Sequence, residues 1–235
     1  MITIRNFTPK VRFEKSFYSA FSVKVAELYN NANSEYLYKR DNESEIINYR
    51  GNRNKFYSMH TREIEEPNID LNFLNDKIVL FGYVGNDTNT RIIEDIFYTP
   101  LNKKYAGKTI PDMYGIIIHA NIISMIISRD YIDPLPGWIN ILMAILICYM
   151  VVAIVKNIKL KYSDLFDVIT ILIIFTSSII LLFLSLEIFL KLQLKISLTI
   201  TLISLVLVPD TIDFYENISK KTKPSIHKLT TRIKK

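Results

Sequence analysis

The chain has 235 residues, with 29 Lys and Arg, 23 Asp and Glu and a formal net charge of +6, a length that suggests one or two domains. The basic excess lies after Pro134, because residues 1–134 carry 17 basic and 17 acidic residues. These later basic residues flank apolar runs and are not interleaved with aromatic residues, which argues against a nucleic-acid-binding protein. The single cysteine, Cys148, excludes an intramolecular disulfide and a thiolate metal cluster.

The first 134 residues predict a soluble α/β domain, because strand and helix patterns alternate along them. The predicted elements are, in chain order, a helix over Ser16–Tyr29 whose apolar stripe includes Phe17, a short strand at Glu45–Tyr49, a buried central strand at Lys77–Gly82 and a helix at Tyr114–Ser128. The last helix leads almost directly into the first long apolar run, so we expect the two to be mechanically connected.

The remainder of the chain predicts three transmembrane α-helices, at residues 138–155, 168–190 and 192–208. The first two contain uncharged runs long enough to cross a hydrocarbon core of about 30 Å. The third is weaker, because it spans the membrane only if Lys195 snorkels outward, and a hairpin that dips partway into the membrane stays an alternative. Glu187 and Lys191 stand near the turn between the second and third runs and predict an interfacial ion pair.

The basic residues also predict the orientation of the spans. Lys156, Lys159 and Lys161 follow the first span, and the tail at residues 209–235 contains seven more basic residues. With three spans both segments lie on one side, which the positive-inside rule assigns to the cytoplasm. The sequence therefore predicts a multi-pass protein of the inner (plasma) membrane with its soluble domain outside. The tail is expected to adsorb to anionic lipid or to act only as a topogenic signal.

Four sequence blocks carry a family resemblance: Asp-Lys-Ile-Val-Leu-Phe-Gly at 76–82, Glu-Asp-Ile-Phe-Tyr-Thr-Pro-Leu at 94–101, Pro-Asp-Met-Tyr-Gly at 111–115 and His-Ala-Asn at 119–121. In this order, and followed by apolar spans, they resemble the CHASE type 2 domain, an extracellular sensory domain of cyclases and histidine kinases. The resemblance covers Phe13 to Val208. It implies five residues that either bind a ligand or are family-signature residues of unknown role: Asp95, Thr99, Pro100, His119 and Asn121.

The resemblance implies an integral membrane sensor that binds an unknown extracytoplasmic signal and relays it through three membrane helices to a separate partner. Family members usually begin with a further membrane span and continue into a kinase or cyclase, so we expect an earlier true start than Met1. A gene fragment without function is an open alternative. No catalytic module is recognisable, so the sequence predicts neither an enzyme nor a cofactor. The expected partners are the bilayer, the signal, a cytoplasmic signalling protein and a second copy of the chain.

A membrane-bound metal-dependent hydrolase that uses Asp95, Asp112 and His119 is the main functional alternative. It has little support, because the chain lacks paired histidines and the H-E-x-x-H spacing. His119 lies among isoleucines on a predicted helix, where a buried, hydrogen-bonded histidine is the commoner arrangement. Asp95 stands four residues before Thr99 and Pro100, a position that favours a turn-capping carboxylate. No metal site is predicted.

Overall fold

A computed structural model describes residues 3–14, 16–66, 69–85, 95–102, 110–161, 166–214 and 218. Residues 160 and 161 are described by their backbone alone. The chain divides into two compact units, Met1–Ile132 and Asp133–Lys235. Most of the predicted tail falls outside the described residues.

The first unit is built from helices and short strand pairs. In chain order it contains β1 (Asn6–Phe7), β2 (Lys10–Phe13), β3 (Ser16–Ser19), α1 (Phe21–Tyr29), α2 (Asn31–Lys39), β4 (Glu45–Ile46), α3 (Thr61–Ile64), β5 (Ile96–Phe97), β6 (Met113–Tyr114) and α4 (Gly115–Ser128), with single 3-10 turns at Arg53–Lys55 and Asn72–Leu74. The described strands pair antiparallel only in twos, as β1 with β4, β2 with β3 and β5 with β6.

The core of this unit is built around α4. Met125 and Ile126 are completely buried and, with Ile118 and Ile122, form a cluster with Val23 and Ala26 of α1. The helix is apolar on nearly every side, which is typical of a central helix covered by other elements. It ends at Arg129, whose backbone is left-handed (φ 55°), with the N–H of Asp130 donating to the Met125 carbonyl at 3.1 Å. This arrangement is a Schellman ending, so α4 stops at Ser128 and a non-helical connection precedes the next helix, which begins at Gly137.

The α/β prediction is corrected where it depended on Lys77–Gly82. This segment forms no strand, and the described residues supply it with no paired neighbour. Ile78 and Leu80 turn inward, whereas Val79 and Phe81 are 44% and 75% exposed. A continuous apolar run identifies an extended segment but not what covers its two faces. A sheet covered by helices is therefore not confirmed, and the described first unit is helical with strand pairs.

Two smaller expectations for the first unit also change. Ser16–Ser19 forms β3 and α1 begins only at Phe21, so the predicted helix over Ser16–Tyr29 starts too early. Phe17, taken as part of its apolar stripe, is 69% exposed on the hairpin. The predicted strand at Glu45–Tyr49 is confirmed only for Glu45–Ile46, which pairs with β1.

The second unit contains two long apolar helices, α5 (Gly137–Lys161) and α6 (Phe166–Leu192), and a short one, α7 (Thr199–Val206). β7 (Asp133–Pro134) pairs parallel with β8 (Leu194–Lys195). Val155 of α5 and Leu205 of α7 are completely buried in a shared apolar cluster. The predicted ion pair is confirmed, since Lys191 Nζ lies 2.9 Å from Glu187 Oε2.

In the described part of the chain, two helices are long and apolar enough, by length and composition, to cross a membrane: Gly137–Lys159 and Phe166–Leu192. The third predicted span, 192–208, is not one helix, because Leu192 ends α6, Leu194–Lys195 form β8 and α7 has only eight residues. A crossing helix needs about 20 residues. Three transmembrane helices are therefore not confirmed.

Candidate functional site

Asp95, the first signature residue, lies where the β5–β6 pair meets α4. Asp95 has a left-handed backbone (φ 67°), and its carbonyl accepts the Gly115 N–H at 3.0 Å. A Cβ atom added to Gly115 would stand 2.6 Å from the Asp95 carboxylate oxygen Oδ1. Glycine is therefore required at the first position of α4 for the Asp95 side chain to lie against the helix start.

Thr99 is buried and is bound by Asp112, not by Asp95. The Asp112 carboxylate accepts the Thr99 N–H at 2.8 Å and the Thr99 hydroxyl at 2.5 Å. The same hydroxyl oxygen accepts the Leu101 N–H at 3.3 Å, which closes the turn around Pro100. The turn-capping carboxylate expected at Asp95 is supplied by Asp112, which sequence spacing did not indicate because the contact joins residues 13 positions apart.

His119 joins α4 to α1. Its Nδ1 lies 2.8 Å from the Ser22 hydroxyl, and its ring meets that of Phe21 edge to face at a centroid distance of 5.1 Å. Burial lowers the pKa of His119 below its ordinary value, and the Asp95 carboxylate partly opposes that shift. The neutral imidazole is thus the favoured form near pH 7. The expected hydrogen bond of His119 is present, whereas its side chain is half-buried and not fully buried.

Asn121 is completely buried and anchors the chain segment at Arg50 and Gly51 to α4. Its Oδ1 accepts the Arg50 N–H at 2.8 Å and the Gly51 N–H at 3.3 Å. Its Nδ2 donates to the carbonyls of Gly51 and Ile117, at 2.9 and 2.8 Å. These bonds satisfy backbone groups that burial would otherwise leave unpaired.

The signature residues therefore do not converge on one point with free polar atoms. Thr99 and Asn121 hold backbone segments, whereas Asp95 and His119 stand near enough to each other for a charge interaction. Among the described residues no group of three His, Cys, Asp or Glu side chains lies close enough to hold a metal ion. Asp112 is engaged by Thr99. The hydrolase alternative gains no geometric support.

A cavity of about 260 Å³ lies against α4, and we call it the α4 cavity. The helix contributes one stripe of residues at helical spacing, and the rest comes from the end of α1, from Phe56 and from the extended segment after Asn75; the lining residues are Tyr29, Phe56, Asp76, Lys77, Ile78, Leu80, Ala120, Ile123, Ser124, Ile127 and Ser128. Sequence reasoning missed this cavity. Two serines at positions 124 and 128 of an otherwise isoleucine-rich helix were the available signal.

The folded first unit has a cavity against its central helix, and it precedes, in the same chain, two helices that are long and apolar enough to cross a membrane. Residues 3–154 match the family model of the CHASE2 domain, so the chain belongs to the CHASE2 domain family. CHASE2 is an extracellular sensory domain, which agrees with the sensor predicted from the sequence. Comparisons with curated proteins and with solved structures found no match.

Proposed function

We propose that the chain is an integral membrane sensory module, whose CHASE2 domain binds an extracytoplasmic signal and relays it through membrane helices to a separate cytoplasmic partner. The single observation that carries this proposal is the match of a sensory domain over residues 3–154, in a chain that continues into two helices of membrane-spanning length. α4, which carries His119 and Asn121 and lines the α4 cavity, is the last helix before them.

A third crossing belongs to this proposal, and contacts within the second unit support it. At one end of α5, the Ser197 N–H donates to Asn140 Oδ1 at 3.3 Å. At the other end, Lys159 Nζ lies 3.0 Å from Asp213 Oδ1. Residues 208–214 are helical beyond α7. At 1.5 Å per residue the stretch of α5 between these contacts is about 28 Å long, close to the hydrocarbon thickness of about 30 Å.

Three crossings place the connection after α5 and the carboxyl-terminal tail on the same side of the membrane. Both are rich in lysine, so the positive-inside rule favours the cytoplasm for both and the outside for the CHASE2 domain. With two crossings the tail would instead lie on the side of the CHASE2 domain. The position of the tail thus distinguishes the two arrangements.

The relay has to pass through residues 129–136, because α4 stops at Ser128 and α5 starts at Gly137. A bound signal need only favour one of two helix arrangements by a few kcal/mol to shift their populations. Arg129, the first residue of this connection, is tied to α2, since its guanidinium Nε donates to Asn33 Oδ1 at 3.1 Å. Movement of α4 would therefore be transmitted from its carboxyl end.

Topology is tested by labelling single cysteines in a Cys148→Ala background with a membrane-impermeant thiol reagent. We expect Lys77→Cys to react in intact cells, or in spheroplasts where an outer membrane blocks the reagent, and Lys221→Cys to react only after permeabilisation. Lys39→Cys, exposed on α2, is the control for the outer position. Equal protection of positions 77 and 221 would contradict the proposed orientation.

The relay is tested with a reporter chimera that carries a cyclase catalytic domain fused after Lys235. Cyclic nucleotide production is measured while a panel of small solutes is supplied outside the cells. At least one solute should change the output of the full chimera and leave unchanged a control chimera that lacks residues 1–132. A response that is the same in both chimeras, or no response to any solute, would contradict the relay.

A further inference from the structure

The rim of the α4 cavity carries one negative and one positive side chain next to each other in the sequence. Asp76 and Lys77 both line the cavity, although successive side chains of an extended segment point to opposite sides. The left-handed backbone at Asp76 (φ 60°) interrupts the extended geometry at this position. The fold thus brings a carboxylate and an ammonium group to the same opening.

The rest of the lining is mostly apolar. Ile78 and Leu80 line the cavity from the extended segment, and Ile123 and Ile127 line it from α4. The Ser124 hydroxyl has no hydrogen-bond partner within the described chain, whereas the comparable Ser178 hydroxyl in α6 donates to the Ile174 carbonyl. A hydroxyl left without a partner beside a cavity is available to a guest molecule.

Size and charge together restrict the guest. A volume of about 260 Å³ lies just below the usual range of roughly 300–1,000 Å³ for small-molecule sites, so the guest is small. A purely apolar guest would make no use of the two rim charges. A phosphorylated guest is disfavoured, because the cavity offers a single cationic side chain accompanied by a carboxylate. A guest with an apolar body and both charges complements the aliphatic lining and the two rim charges.

We propose that the α4 cavity binds a free amino acid with a branched aliphatic side chain. Its α-ammonium group pairs with the Asp76 carboxylate, its α-carboxylate pairs with the Lys77 ammonium and accepts the Ser124 hydroxyl, and its side chain packs on the isoleucines. This assignment rests on the proposed sensory function and names the chemical class of the signal. It also places the signal directly on α4.

Calorimetry on the purified full-length chain in lipid nanodiscs tests the assignment with L-leucine as the probe. Three analogues each lack one feature: 4-methylpentanoic acid the ammonium group, 3-methylbutylamine the carboxylate and glycine the side chain. We expect leucine to bind and each analogue to bind at least tenfold more weakly. No binding of leucine at millimolar concentration, or equal binding of leucine and 4-methylpentanoic acid, overturns the proposal.

Variants locate the site. Asp76→Asn and Lys77→Gln should each weaken leucine binding at least tenfold, whereas Glu43→Gln and Lys39→Gln, on exposed residues outside the cavity lining, should leave it unchanged. Ala120→Leu fills the cavity from α4 and should abolish binding; its folding is checked by thermal unfolding. Because the two rim substitutions lie on exposed residues, they preserve the fold and decide the question if Ala120→Leu does not fold. Unchanged binding in both rim variants overturns the proposal.

Failure of this assignment is distinguishable from failure of the proposed function. Leucine binding is measured on the purified chain and needs no output, whereas the reporter chimera responds to any effective solute. A chimera that responds to another solute while leucine does not bind overturns the ligand class alone. Leucine binding with a silent chimera overturns the relay alone.

Discussion

Ser22 Oγ and His119 Nδ1 lie 2.8 Å apart and join α1 to α4 across 97 positions of the sequence. Beside this contact the His119 ring packs against Phe21. A protonated imidazole is disfavoured here because burial lowers its pKa, which Asp95 only partly restores. The junction between the two helices is thus sensitive to the protonation of one side chain.

The stability of the first unit should fall as the pH falls. The folded pKa of His119 lies below its ordinary value of 6.5, so the unfolded state binds more protons in this range. The stabilisation is fully present above about pH 6.5 and is lost as the pH falls toward the folded pKa. Thermal unfolding of the full chain between about pH 5 and 8 measures this loss. His119→Asn should flatten the dependence of thermal stability on pH, whereas His60→Gln, at an exposed position, should leave it unchanged. A pH dependence of His119→Asn identical to that of the wild type would contradict the prediction.

Replacement of Asn121 by Ala should destabilise the first unit. The substitution leaves the N–H groups of Arg50 and Gly51 without the amide oxygen that accepts them, and an unsatisfied buried group costs about 1–3 kcal/mol. Chemical unfolding of the full chain gives the loss. Asn75→Ala, on an exposed side chain, is the matched control and should stay within about 0.5 kcal/mol of wild type. Equal stability of the two variants would show that the Asn121 bonds contribute nothing.

Two ion pairs of the first unit, one buried and one exposed, should contribute differently to its stability. Arg40 binds Glu45 through Nε and Nη2, at 2.8 and 3.2 Å, and the Glu45 side chain is 3% exposed. Arg40→Ala leaves a buried carboxylate without its main partner and should cost about 3–5 kcal/mol. Lys24→Ala breaks the exposed pair with Glu27 and should cost about 0–1 kcal/mol. Unfolding free energies check both, and similar losses would contradict the distinction.

Proline at Ile126 should disrupt α4. Proline removes a backbone donor within the helix and clashes with the preceding turn, at a cost of about 3 kcal/mol or more. Ile126 is completely buried, so Ile126→Val, which costs about 0.5–1.5 kcal/mol, controls for the side chain. Membrane insertion should be unaffected, because residues 137–159 are unchanged. Wild-type thermal stability of Ile126→Pro would contradict the central role of α4.

A peptide of residues 217–235 should bind anionic vesicles at low salt. Its seven basic residues have no acidic partner within the segment, and each contributes roughly 1 kcal/mol near an anionic surface. High salt should release the peptide, because the interaction is screened within about 10 Å at 0.1 M. A peptide with glutamine at the seven basic positions is the control. Absence of binding to anionic vesicles at low salt would leave only a topogenic role for the tail.

The sequence alone determined the features that depend on composition and on the order of motifs. The uncharged runs predicted α5 and α6, because membrane-spanning length and apolarity are properties of one segment. The spaced blocks from Asp76 to Asn121 indicated the family, and the pattern before Ser128 indicated α4 within one residue of its start. Each of these features is local, or is a string of residues that needs no partner to be recognised.

Only the tertiary structure decided which segments face each other. The apolar run at Lys77–Gly82 resembles a central strand, yet its described neighbour is α4, whose Ile116 side chain stands 2.8 Å from where a Cβ of Gly82 would lie. Asp112, not Asp95, closes the turn at Thr99, and Ser22 meets His119 across 97 positions of the sequence. The α4 cavity exists because no side chain fills the space between α4 and the extended segment. No periodicity in the sequence encodes such a gap. Side-chain contacts across many residues carry that information, and they exist only once the chain has folded.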